Sequence, residues 1–304
     1  MITTDRLTPA AQRGIGRLLD ASTQVDGVSP LDEAARLALA AAPADSSAGP
    51  RHLLVLPEGA DATDPDAVLG YASLLADGTV QGMVDPAHRR RGIGRRLLAE
   101  VTALRPDAAV WAHGALGGAL ALLEGAGYTP QRTLLTLGRP LPGAALPAAD
   151  SSLQPLEITG FDLDRDGEDW VALNAVAFAS HPEQGRMTLA DLRERTAQPW
   201  FDPEGFFLAR HRGELVGFVW TKREGDGEAA EDGEIYVVGT APAAQGHGVA
   251  RLLMVRALAH LVRAGCRRAV LYVEGDNAPA LSVYRRLGFS TIGRDVQLRR
   301  AQEA

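Results

Sequence analysis

Gly233-Glu234-Ile235-Tyr236-Val237-Val238-Gly239 is followed, after a short Ala/Pro segment, by Gln245-Gly246-His247-Gly248-Val249-Ala250. The first run is β-branched and aromatic and reads as a strand. The second opens a stretch with apolar residues at helical spacing, Val249, Leu252, Leu253 and Ala257. A second strand, Ala269 to Val273, precedes Asn277 and a helix that ends at Leu287-Gly288-Phe289. Strand, glycine loop and helix start in this order make an anion site. Glycines let the backbone come close, and unpaired amides at the helix N-terminus point at a phosphate.

The same order of elements occurs earlier in the chain. Thr79 to Val84 reads as a strand returning from an Asp77-Gly78 hairpin turn. Asp85-Pro86-Ala87-His88-Arg89-Arg90-Arg91-Gly92-Ile93-Gly94 follows, and Ile93, Leu97, Val101 and Leu104 then form a helical stripe. Ala108 to Trp111 is the next strand, Leu116 to Leu123 the next helix, and Gly127-Tyr128 closes the unit. The chain is therefore a tandem repeat. Gly92 lines up with Gly248 and Gly127 with Gly288. The small change in offset falls between the first helix and the second strand, where length changes are cheap. Upstream, residues 2–6 read as a strand and Pro9 to Leu19 and Pro30 to Ala40 as helices. Arg51 to Leu56 and Val68 to Leu75 read as strands. Between the copies, Pro140, Pro142, Pro147 and Pro155 stand among small residues, which reads as a semi-rigid linker.

The 304 residues suffice for about two domains. Apolar content of 46% and charged content of 23% are ordinary for a globular protein. The single cysteine, Cys266, excludes an internal disulfide framework and a multi-cysteine metal site, and reads as a small core residue. The start is not a signal peptide and no run of about 18 apolar residues occurs, so a cytoplasmic protein without a membrane partner is expected. The net charge of −7 argues against nucleic acid and suits a cationic substrate.

Gln245-x-x-Gly248-x-Ala250 after a strand, with Asn277, Tyr284 and Leu287-Gly288-Phe289 behind it, resembles the GNAT superfamily of acetyl-CoA-dependent acetyltransferases. The resemblance implies an α/β fold of mixed sheets: a GNAT domain over 1–139, a linker over 140–154 and a GNAT domain over 155–304. It also implies where coenzyme A sits. In the second copy, Val238, Gly239 and Thr240 end the strand. Gln245, Gly246, His247, Gly248, Val249, Ala250 and Arg251 cradle the pyrophosphate. Asn277, Ala278, Pro279, Ala280, Leu281 and Ser282 line the pantetheine. The matching set in the first copy is Met83, Val84 and Asp85, then Arg89, Arg90, Arg91, Gly92, Ile93 and Gly94. The three arginines suit a phosphate or are merely exposed. His247 faces the phosphate or solvent, and no metal is expected.

The copies are not equivalent. The first has Leu116 where the second has Asn277, and Leu123 where the second has Tyr284. It has Gly78 or Thr79 near the place of Glu234. The second copy is therefore expected to do the chemistry. The first either binds acetyl-CoA or serves as scaffold.

A degenerate first half with an intact second half resembles the mycothiol synthase family. His181-Pro182-Glu183-Gln184-Gly185, Pro199-Trp200-Phe201-Asp202-Pro203 and the strand from Gly233 carry that likeness, which spans essentially the whole chain. The loop is less basic than is usual there, and the acidic stretch 224–232 is idiosyncratic. The resemblance implies acetyl transfer from acetyl-CoA to the cysteine amine of cysteinyl-glucosaminyl-inositol by a monomer. Glu234 is then the base, four residues before Val238 and on the same face by the period of two, a separation that calls for a water relay. The bland reading of Glu234 is the end of an acidic run. Tyr284, two helical turns after Asn277, is the acid, or else a half-buried aromatic. Asn277 caps its helix. Glu183, in a loop, reads as a partner of the substrate ammonium or a helix-start acid. Lys222 reads as a ligand for sugar or inositol hydroxyls or an exposed strand end. Tyr272 reads as a pocket wall or, better, a core aromatic, and Glu33 as a rim residue or a solvated helix face. Two rival functions stay open: another GNAT enzyme acting on a protein N-terminus or an aminoglycoside, and a coenzyme-A-binding regulatory module.

Overall fold

The computed structural model describes residues 1–40, 49–60, 64, 67–141, 143, 146–179, 182–223 and 232–300. Two units emerge from it, Met1–Leu134 with Gly293–Ala304, and Leu135–Ile292. Among the described residues no helix is long and apolar enough to cross a membrane.

Unit 1 begins with β1 (Ile2–Thr4), α1 (Pro9–Asp26) and α2 (Glu33–Ala40). Thr8 caps α1 by accepting from Ala11 N at 3.1 Å, and Pro9 occupies the first helical position. The helix runs past Leu19 to its stop signal, the left-handed Gly27. The second helix starts three residues after Pro30, because Asp32 Oδ1 accepts from Ala35 N and acts as its cap. Then come β2 (Arg51–Val55), β3 (Gly70–Leu74), β4 (Thr79–Val84), α3 (Ile93–Leu104), β5 (Ala109–Ala112), α4 (Gly117–Glu124) and β6 (Tyr128–Pro140). Strands β1 to β4 pair antiparallel in sequence order, and β4 pairs parallel with β5. One face of this sheet is buried under α1 and α2 through Ile15, Leu18, Leu54, Tyr71 and Met83. The other is buried under α3 and α4 through Leu53, Ala72, Leu97, Val101 and Leu123.

Unit 2 holds β7 (Leu156–Gly160), α5 (Leu163–Ala177), α6 (Pro182–Gly185), α7 (Leu189–Thr196), β8 (Phe206–His211), β9 (Glu214–Lys222), β10 (Asp232–Thr240), α8 (Val249–Arg263), β11 (Arg268–Glu274) and α9 (Ala278–Arg286). Residues 135–140 of β6 belong to it too, and its strand order is β6-β11-β10-β9-β8-β7, antiparallel from β7 to β10 and parallel between β10 and β11. Under α8 and α9 the core is aliphatic, with Leu253, Leu258, Leu261, Leu271 and the small thiol of Cys266. Under α5 and α7 it is aromatic, built on Trp170, Phe206, Phe218 and Trp220.

The repeat alone assigns the end of the chain to the second copy. By contacts, Gly293–Ala304 belongs to unit 1. The physical reason is β12 (Ser290–Arg300), which pairs antiparallel with β5 from Val296↔Ala112 to Arg299↔Ala109. The described part of the Pro-rich linker is also docked. Leu146 and Leu153 pack against the aliphatic core of unit 2.

Candidate active site

In unit 2, β10 and β11 pair over three positions only, from Asp232↔Arg268 to Glu234↔Val270. Both strands continue beyond that point, β10 to Thr240 and β11 to Glu274, without pairing to each other. They part into a gap lined by backbone. At the far end of β10 stands the glycine loop. Gly248 is the N-cap of α8 in the left-handed region (φ 83°), and as a glycine it supplies no side-chain cap. The first amides of α8 are thus left for an anion. Gly246 is left-handed as well (φ 78°).

A strap from the linker braces this loop, and nothing in the sequence reading foresaw it. Buried Ser151 donates from Oγ to His247 O at 2.8 Å, and Ser152 N donates to the same oxygen at 3.1 Å. Ser152 Oγ lies 2.9 Å from His247 Nδ1, and Arg251 Nη2 donates to Ala148 O at 2.8 Å. His247 is exposed and joined to the strap.

Tyr284 lies on the aliphatic side of the sheet, 8% exposed, edge-on to Phe289. Burial pushes its phenol up to about 12. Asn277 caps α9 by accepting from Ala280 N at 3.1 Å. Glu234 lies on the opposite side. Its neighbours show this: a Cβ on Gly233 would meet Leu261 and Cys266, and Ile235 joins the aliphatic core. One expectation fails here. Glu234 and Val238 are not on one face, because β10 carries a bulge at Tyr236, where the register with β9 shifts between Ile235 and Val237. Val237 then packs in the aromatic core and Val238 against the aliphatic one.

Lys222 is not the exposed strand end of the bland reading. It stands opposite Glu234 in register, is 5% exposed, and its Nζ lies 4.9 Å from the Trp200 ring and 5.6 Å from that of Tyr236. Nor is Tyr272 a core aromatic. Strand β11 turns Ala269, Leu271 and Val273 to the aliphatic core, so Tyr272 faces the side of Glu234 and is 54% exposed. Glu183 belongs to the short helix α6 rather than a loop, and its side chain lies outside the described residues, as do Ser180, His181 and the acidic stretch 224–231. Glu33 is the exposed first residue of α2 in unit 1. Among the described residues no three His, Cys, Asp or Glu side chains gather as a metal site requires.

A family model described as "Acetyltransferase (GNAT) family" matches residues 170–289, the stretch that holds this gap. The chain is 51% identical to the mycothiol acetyltransferase of Brachybacterium faecium, over 98% of either protein. The chain belongs to the mycothiol acetyltransferase family. Among solved structures, a GCN5-related N-acetyltransferase from Sphaerobacter thermophilus superposes with a TM-score of 0.70 at 24% identity, covering 100% of this chain and 97% of that one. A tandem GNAT protein from the clavulanic acid biosynthesis pathway superposes with a TM-score of 0.66 at 20% identity, covering 95% and 94%. These two speak for the fold: this member of the mycothiol acetyltransferase family is a tandem GNAT acetyltransferase with mixed sheets.

Unit 1 of this family member repeats the frame with apolar side chains at the positions of Asn277 and Tyr284. Strands β4 and β5 pair at Thr79↔Ala109 and Val80↔Val110 and then part. Gly92 is the left-handed N-cap of α3 (φ 83°), and Arg90 adopts the left-handed position that Gly246 holds in unit 2 (φ 63°). Leu116 caps α4 without a side-chain bond, where Asn277 caps α9 with one. Leu123 is buried in the place of Tyr284. The β3–β4 register runs unbroken from Gly70↔Val84 to Leu74↔Val80, so the bulge is a property of unit 2. Arg89 is engaged elsewhere: its two Nη donate to Asp26 at 2.7 Å each, its Nε to Val84 O, and the Asp26 bond raises its pKa.

Proposed function

We propose that the chain transfers acetyl from acetyl-CoA to the cysteine amine of 1D-myo-inositol 2-(L-cysteinylamino)-2-deoxy-α-D-glucopyranoside, the last step of mycothiol formation. The gap in unit 2 is the observation that supports this most. It opens immediately after Glu234↔Val270, with Glu234 on one side of the sheet and Tyr284 on the other. In this reading Gln245 to Arg251 hold the pyrophosphate on the amides at the start of α8. The pantetheine runs along Val238, Gly239 and Thr240, past α9 from Asn277 to Ser282.

The acceptor amine must lose a proton to attack, because an α-amine has a pKa near 7.7 to 8.0. Glu234 takes that proton through a water as the N–C bond forms. A β10 amide in the opened stretch near Val238 donates to the developing oxyanion. The C–S bond then breaks, and Tyr284 gives its proton to the leaving sulfur. Its burial keeps that proton in place at neutral pH. Lys222 and Tyr272 contact the acceptor. Unit 1 binds a second coenzyme on the amides after Gly92, with Arg90 and Arg91 at the loop surface, and catalyses nothing. The enzyme works as a cytoplasmic monomer.

The test is an acetyl transfer assay on a panel of amines. We expect the cysteinyl pseudodisaccharide to be acetylated with the highest kcat/KM. An aminoglycoside or a peptide N-terminus turned over as efficiently would overturn the acceptor assignment.

A further inference from the structure

Three side chains beside Glu234 have no part in the transfer just described. Tyr236 is the bulged residue of β10, and its hydroxyl accepts a hydrogen bond from Arg195 Nη1 of α7. Arg195 Cζ also lies 5.9 Å from the centroid of the same ring. The Tyr236 ring is 5.3 Å from that of Trp200 and 5.1 Å from that of Trp220. Trp200 in turn carries the Lys222 ammonium on its face. The clamp is braced from behind. Helix α7 has a full capping box between Thr188 and Asp191, and Leu192 is buried in the aromatic core. Arg195 therefore reaches Tyr236 from a fixed helix.

Charge and shape order this wall. The carboxylate of Glu234 stands opposite Lys222 in register, and Arg195 adds a second cation at the Tyr236 hydroxyl. An acceptor that carries an ammonium is drawn to Glu234 and repelled from Lys222 and Arg195. Its oxygens are what Lys222 and the Tyr236 hydroxyl bind. Trp200 and Tyr236 are half-buried, and the part of each that stays open is an apolar surface with a polar edge, of the kind on which the C–H face of a sugar or cyclitol ring rests. Strand alternation puts Tyr236 on the same side as Glu234, and the bulge there turns Val237 to that side as well.

We propose that Arg195, Tyr236 and Trp200 form, with Lys222, a wall that recognises the hydroxylated rings of the acceptor and sets its direction, Arg195 acting as a positioning residue through Tyr236. This rests on the acceptor class proposed above. The test compares two acceptors, the cysteinyl pseudodisaccharide and ring-free L-cysteine ethylamide, in wild type, Tyr236→Phe, Arg195→Met and Arg195→Lys. Tyr236→Phe keeps the ring and removes the hydroxyl, a charge-assisted bond whose loss is worth roughly tenfold or more. The ratio of kcat/KM for the pseudodisaccharide over the ethylamide falls about tenfold in Tyr236→Phe and Arg195→Met. The fall comes through KM for the pseudodisaccharide. Arg195→Lys restores part of it, and a variant combining Tyr236→Phe with Arg195→Met is no worse than either single one. A ratio within about twofold of wild type, or a loss confined to kcat, overturns the wall. Thermal melts check folding, and the Arg195 variants carry the test by themselves if Tyr236→Phe does not fold. Wild type that acetylates neither amine refutes the acceptor class instead, a different outcome from active variants with an unchanged ratio.

Discussion

Replacing Gly248 and Gly92 by alanine, one at a time, separates the two glycine loops. Both residues sit at φ 83° as helix N-caps. A Cβ in the left-handed region costs about 1–2 kcal/mol, offset by roughly 0.4–1 kcal/mol because alanine narrows the unfolded ensemble. At Gly92 a new Cβ meets nothing within 4 Å, so the strain stands alone and a loss of about 1 kcal/mol is expected. At Gly248 the Cβ would lie 2.5 Å from Asp150 O, which is backbone and must move. Moving it pulls on the bonds from Ser151 Oγ and Ser152 N to His247 O. Each such bond is worth about 0.5–1.5 kcal/mol net, so losing both adds about 1–3 kcal/mol. Gly248→Ala should therefore lose about 2–4 kcal/mol against about 1 kcal/mol for Gly92→Ala. Denaturant melts read the difference directly, and the KM for acetyl-CoA should rise more for Gly248→Ala. Equal losses at the two positions would refute the reasoning, for they would mean that the strap does not bear on the loop.

Glu234→Gln should lower kcat by about 10²–10⁴-fold at pH 7, with the loss shrinking at high pH as free amine accumulates; a full-rate variant would move the base elsewhere. Tyr284→Phe should lower kcat over a similar range while acetyl-CoA binding by calorimetry stays nearly unchanged. Because burial pushes this phenol up to about 12, wild-type kcat should show no decline from its ionisation below about pH 11. Asp166 is fully buried; burial by itself raises its pKa, yet bonds from Arg165, the Asp162 amide and Arg210 outweigh that and hold the carboxyl below the usual range. Its folded pKa lies below the unfolded value near 3.9, so its contribution is full above that value and is lost as pH falls through the folded one. Thermal melts at descending pH should show this loss, and Asp166→Asn should cost about 3 kcal/mol at neutral pH while blunting the acid dependence. Arg90→Gly relieves a left-handed non-glycine residue and should stabilise unit 1 by about 1 kcal/mol in the same melts; an unchanged or lower stability would refute the strain.

Much of this protein is legible residue by residue, wherever the deciding interactions span a few positions. The strand before Gly239, the loop at Gly248, the cap at Asn277 and the apolar stripe from Val249 are local patterns, and their second appearance around Gly92 reveals the repeat. The contrast of Asn277 and Tyr284 with Leu116 and Leu123 needs only that alignment. What escapes is whatever depends on a distant partner. The period of two puts Glu234 and Val238 on one face, but the register with β9 inserts a bulge at Tyr236 and turns them to opposite faces. The same register buries Lys222, and the orientation of β11 exposes Tyr272. Pairing decides that β12 lies beside β5, and hydrogen bonds to the backbone of His247 turn a proline-rich linker into a brace. Propensity and spacing act through neighbours along the chain, whereas strand register and docking are set by which distant surfaces bury the most apolar area and satisfy the most backbone groups.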